Sequence, residues 1–91
     1  MLFMIYAVDK PDSADLRART REAHLAYIDQ YREAVHTAGP VLDDAGNPTG
    51  SLILMEFPDR AAAERFAEQD PYAQAGLFER VEIAPWKKVR P

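Results

Sequence analysis

The chain has 91 residues, no cysteine and a net charge of −4. That length gives one domain with one hydrophobic core, and the lack of thiols excludes a disulfide framework, a thiolate metal centre and a thiol nucleophile. The acidic balance argues against nucleic acid as a partner, although Arg17, Arg19 and Arg21 cluster among Asp12, Asp15 and Glu22.

Leu2 to Val8 is continuously apolar and predicts a strand buried on both faces. It is too short to span a bilayer and lacks the basic flank and cleavage site of a secretory signal. The expectation is a cytoplasmic protein with no membrane partner. Asp9 to Asp12, with Pro11, ends the strand, and Asp12 or Ser13 can cap a helix. Leu16, Thr20, Ala23, Tyr27, Tyr31, Ala34 and Val35 recur at three- and four-residue steps, predicting an amphipathic helix from about Ala14 to Ala38. Arg17, Glu22, Asp29, Arg32 and Glu33 fall on its polar side, and Gly39-Pro40 stops it. Val41-Leu42 is a short strand candidate, followed by a turn-rich stretch from Asp43 to Gly50.

Ser51 to Phe57 predicts a second strand apolar on both faces. Asp59 is a plausible cap for a helix striped by Ala62, Ala63, Phe66 and Ala67. That helix ends at Asp70, because a residue before proline is pushed out of the α region. Pro71 suits the first position of a short helix that ends near Gly76. Leu77 to Val89 is the last strand, and Pro85 within it favours an edge position or a bulge. The order strand, helix, strand, strand, helix, strand is the ferredoxin-like arrangement: an α+β βαββαβ sandwich with a four-stranded antiparallel sheet and a short extra helix after Asp70. Two helices cover only one face of such a sheet, so the other apolar face is expected to meet a second copy in a homodimer.

Few side chains carry chemistry. His24 sits at the border of the helix's apolar face, with Arg21 one turn earlier on the same side. It reads either as a core-edge histidine or as a proton-transfer group. His36 lies near the expected helix C-terminus, where the dipole favours an imidazolium, and reads as structural or surface. Asp70 is a helix cap on local grounds and a candidate partner for His24, and Tyr72 by itself reads as packing. Glu22 and His24 are two apart on a helix and diverge, so no metal site is expected. No cofactor motif is present: there is no phosphate-binding glycine loop and no nucleophile elbow around Ser51.

Several segments carry a family resemblance. They are Met1-Leu2-Phe3-Met4-Ile5-Tyr6-Ala7, Arg21-Glu22-Ala23-His24-Leu25, Ala38-Gly39-Pro40, Gly50-Ser51, Asp70 to Leu77, and Pro85-Trp86-Lys87-Lys88-Val89. In order and spacing the chain resembles the YciI-like proteins, the YCII-related domain family, nearly end to end, with a shorter connection between Pro40 and Gly50 than in some members. The resemblance implies a single domain of the dimeric α/β-barrel kind, with an active site built on His24 and Asp70. One branch of the family is associated with dehydrochlorination of a chlorinated aromatic. The expected function is a small-molecule enzyme in which His24 transfers a proton and Asp70 orients it, for elimination or isomerisation. Arg21, Ser51 and Tyr72 would hold a small anionic or phenolic ligand. The alternative is a non-catalytic ligand-binding or accessory domain.

Overall fold

A computed structural model describes residues 1–91. Seven elements follow one another: β1 (Leu2–Asp9), α1 (Ala14–Asp29), β2 (Val35–Leu42), β3 (Pro48–Glu56), α2 (Arg60–Gln69), α3 (Pro71–Gln74) and β4 (Phe78–Pro85). The strands form one antiparallel sheet in the order β2-β3-β1-β4. This is the ferredoxin-like sandwich expected from the sequence. No helix is long and apolar enough to cross a membrane.

Side chains alternate across the pleat, so the two apolar central strands divide their residues between two faces. Phe3 and Ile5 of β1, with Ile53 and Met55 of β3, are buried beneath the helices. Phe57, Ala63, Phe66 and Ala67 complete that core. Burying each large side chain of this kind stabilises by about 1.5–3 kcal/mol. On the other face Met4 and Tyr6 pair across the strands with Leu54 and Leu52. These four are only partly buried or exposed, because nothing in the chain covers them. At Gly50 the two central strands leave no room for a side chain, since a Cβ there would lie 2.5 Å from the Ala7 carbonyl oxygen.

Two expectations need correction. The first helix ends at Asp29, not Ala38, and the following strand begins at Val35, not Val41. After Asp29 the backbone tightens through turns, with the Tyr31 N–H on the Ile28 carbonyl and the Ala34 N–H on the Tyr31 carbonyl. Val35 to Pro40 then pairs with Met55 to Ser51. Ladder hydrogen bonds and the β-branched Val35 and Thr37 outweigh the helical periodicity there. Pro40 is tolerated because β2 is an edge strand. His36 is therefore an exposed strand residue and not a helix-end group.

The second half folds as its punctuation predicts. Asp59 caps α2 by accepting the Ala62 N–H at 2.9 Å. The chain leaves the helix at Asp70 (φ −58°, ψ 129°), restarts at Pro71, and turns through Gly76 at φ 78°. β4 lies at the sheet's other edge and stops at Pro85, short of the expected Val89.

Candidate active site: a buried His–Asp pair beside an apolar cavity

Positions 17, 21, 24 and 28 of α1 recur at helical spacing and share one face. That face overlooks β2 and β3 and encloses a cavity of about 350 Å³, lined by Arg17, Arg21, His24 and Ile28 together with Pro40, Ser51, Ile53 and Tyr72. The buried residues of α1 are Arg17 and His24. The apolar stripe expected there is displaced: Ala23 and Tyr31 are exposed, while Tyr27 and Ile28 pack against the core.

His24 Nδ1 lies 2.9 Å from Asp70 Oδ1 and 3.1 Å from Oδ2. A carboxylate only accepts hydrogen bonds, so Nδ1 is the donor. Asp70 Oδ1 also accepts the Tyr72 N–H at 2.9 Å, which caps α3. One carboxylate thus both caps α3 and accepts from His24, and it is only 3% exposed. It stands behind the imidazole, away from the cavity lining. The other ring nitrogen, Nε2, has no protein partner and is not sealed off. His24 lines the cavity, and Nε2 is its one ring nitrogen without a protein partner.

The Tyr72 ring stacks on the imidazole, with centroids 4.1 Å apart and planes inclined by 17°. Arg17 and His24 are two turns apart, about 10 Å along the axis. Tyr72 fills that interval, with the Arg17 guanidinium 4.7 Å from its ring centroid. Burial pushes the Tyr72 phenol upward, while the Arg17 and Arg21 cations act in the opposite direction. Outside the site, Tyr27 donates its hydroxyl to the Phe66 carbonyl at 2.8 Å. Burial and then the Tyr31 hydroxyl push Tyr27 well above its ordinary value.

These two shifts give an alkaline limit to stability. A free phenol titrates near pH 10. Above about that pH the unfolded chain loses protons that the folded chain keeps, so stability falls as pH rises. Below it the contribution is fully present. Thermal unfolding midpoints should be level through mildly alkaline buffer and drop beyond about pH 10. Tyr27→Phe should make that drop shallower. A drop of unchanged steepness would assign it to other groups.

All five side chains expected to build the site meet here: His24 and Asp70 in contact, with Arg21, Ser51 and Tyr72 around the same cavity as His24. Arg21 is exposed and joins none of the ion pairs. Arg17 does not lie on a polar outer side. It is buried, with Nη1 2.9 Å from both Asp9 carboxylate oxygens and Nη2 donating to Ser51 Oγ at 2.8 Å. Its four-residue step to Arg21 and seven-residue step to His24 were the available signal. Asp9, at the end of β1, carried none, because only the fold brings it to α1.

A family model for the YCII-related domain matches residues 1–87. Protein YciI of Escherichia coli O6:H1 is 41% identical over 97 aligned residues, covering 98% of this chain and 99% of that protein. Among solved structures, 5-chloro-2-hydroxyhydroquinone dehydrochlorinase (TftG) from Burkholderia phenoliruptrix AC1100, in complex with 2,5-dihydroxybenzoquinone, superposes with a TM-score of 0.90 at 36% identity. That match covers 96% of this chain and 94% of the other. An antibiotic biosynthesis monooxygenase shares the fold at a TM-score of 0.59 and 16% identity, covering 99% of this chain and all of its own. By its sequence along nearly its whole length, the chain belongs to the YCII-related domain family.

Proposed function

We propose that the chain is a small-molecule enzyme whose base is His24 Nε2, with hydroxylated aromatic compounds as its substrate class. The observation that carries this is the fixed imidazole: Nδ1 is held by a buried carboxylate while Nε2 is left at a cavity. An imidazole gains and loses a proton near neutrality, and a carboxylate behind it stabilises the charged form. At about 350 Å³ the cavity is at the small end for ligand sites, a size suited to a single ring. Ile28, Pro40 and Ile53 offer apolar contact to such a ring. Arg21 supplies an unpaired cation for an oxyanion, and Ser51 and Tyr72 orient the ligand.

The reaction class is elimination or isomerisation. In a dehydrochlorination, the keto tautomer of the substrate, which carries H and Cl on one ring carbon, gives an O–H proton to Nε2. The electron pair left behind enters the ring system, and the C–Cl pair departs as chloride. The products are H⁺, Cl⁻ and a quinone-type ring, with no external oxidant. Returning the proton to a different atom gives isomerisation from the same machinery. The dehydrochlorinase relative and its bound quinone support this chemistry. Incubation with 5-chloro-2-hydroxyhydroquinone, read by chloride release above the uncatalysed rate, is the first test. Saturable binding of hydroxylated quinones, with no chemical change in any hydroxylated aromatic tried, would favour a binding domain over an enzyme.

The working form in this proposal is a homodimer joined through the open sheet face. Met4, Tyr6, Leu52 and Leu54 form a patch that the helices do not reach, and such a patch is stabilised by a second copy of itself. Light scattering should give twice the 10.3 kDa chain mass. Leu52→Glu combined with Leu54→Glu should shift the protein to monomer. A wild-type monomer at micromolar concentration would defeat the dimer reading.

A further inference from the structure

The two arginines at the cavity do different things. Arg21 faces it without an anionic partner, whereas Arg17 is neutralised: both Asp9 oxygens accept from Nη1, and the side chains of this pair are 10% and 7% exposed. A charge so compensated and so enclosed is a poor attractor for a ligand anion. Its second terminal nitrogen, Nη2, donates to Ser51 Oγ at 2.8 Å. A hydroxyl that accepts from a guanidinium cannot turn its own proton back toward that donor. Its remaining choices are another acceptor of the protein or the cavity. No acceptor of the protein takes it, and Ser51 lines the cavity.

We propose that the Asp9–Arg17 pair is a positioning unit that turns Ser51 into a hydrogen-bond donor aimed at a ligand oxygen in the cavity beneath α1. Asp9 locks the guanidinium fork, Arg17 occupies a lone pair of Ser51, and the Ser51 proton projects forward. Arg17 also covers Tyr72, so the same fork holds the aromatic wall beside His24. An anionic ligand oxygen then meets two dissimilar donors, the Arg21 charge and the Ser51 hydroxyl. The inference rests on the proposed function for the identity of the ligand, but the direction of the hydroxyl stands apart from it.

The test uses 2,5-dihydroxybenzoquinone as an ionisable probe and its 2,5-dimethoxy ether as a control without an oxyanion. Ser51→Ala should weaken binding of the dihydroxy compound about tenfold, the scale of a hydrogen bond to a charged group, and leave the ether within about twofold. Arg17→Lys keeps a cation beside Asp9 but cannot span Asp9 and Ser51 as a planar fork. It should reproduce the Ser51→Ala loss, and the double variant should lose nothing more. Unchanged binding in Ser51→Ala, or losses that multiply in the double variant, would overturn the proposal. Neutron diffraction of the deuterated wild-type protein decides the point even if Arg17→Lys does not fold or neither quinone binds. A Ser51 deuteron pointing into the cavity supports the positioning unit, and one bonded to a protein carbonyl overturns it. Failure of both quinones to bind wild-type protein would instead count against the ligand class.

Discussion

His24→Gln should lower turnover by roughly 10²–10⁴-fold, the usual contribution of a general base, with the fold intact. Glutamine is of similar length and carries an amide N–H that can donate to Asp70. The buried carboxylate then keeps two donors, the glutamine and the Tyr72 N–H, so little stability is lost. Asp70→Asn should produce a rate loss of the same order by another route. Asparagine caps helices about as well as aspartate, so α3 should survive. Its amide N–H would donate to Nδ1, however, and an Nδ1 that accepts places the proton on Nε2. The cavity would then face a donor where it needs a base. The loss should fall on kcat, with KM changed little, because neither substitution alters Arg21 or Ser51. Both variants turning over at the wild-type rate would remove the pair from the mechanism. Equal losses of rate and thermal stability would reduce it to a structural contact.

Arg17→Ala has the largest expected effect on stability. It leaves the Asp9 carboxylate enclosed, with 7% of its side chain exposed and no cation beside it. Breaking a buried pair by removing one partner costs about 3–5 kcal/mol. For a domain of this size each kcal/mol lowers the unfolding midpoint by about 4–8 °C, so the drop should be large. The Ser51 hydroxyl and the Tyr72 ring lose a neighbour as well. Replacing both members, as in Asp9→Leu with Arg17→Met, should recover much of the loss, because an apolar pair of similar volume is often as stable as the ions it replaces. Urea unfolding of the single and double variants separates the terms. A single variant as stable as wild type would mean that water already compensates Asp9.

The strand and helix order, and with it the sheet, could be read directly, because β1 and β3 are apolar at successive positions and the helices carry their own punctuation. Asp59 and Asp70-Pro71 placed α2 and α3 for reasons of backbone geometry alone. From Gln30 to Pro40 the residue spacing misleads for a physical reason. Tyr31, Ala34 and Val35 continue the helical spacing, while the pairing of β2 with β3 that overrides it is non-local. His24 and Asp70 form a candidate pair by residue type alone, and the resemblance strengthens it, because 46 residues separate them and no local spacing links them. By its spacing Arg17 falls on the solvent side, because arginine is seldom buried without a partner, and that partner, Asp9, is supplied by the fold.

The arrangement of protons on His24 decides whether its Nε2 is set up as a base, and reading it needs no substrate. Long-range ¹H–¹⁵N correlation on histidine-labelled protein, in mildly alkaline buffer, reports each ring nitrogen of His24 and His36 separately, and His24→Gln assigns the signals. His24 should show one fixed tautomer, with the proton on Nδ1 toward Asp70 and an unprotonated Nε2 facing the cavity. A proton resident on Nε2, or an imidazole averaging between tautomers, would contradict it.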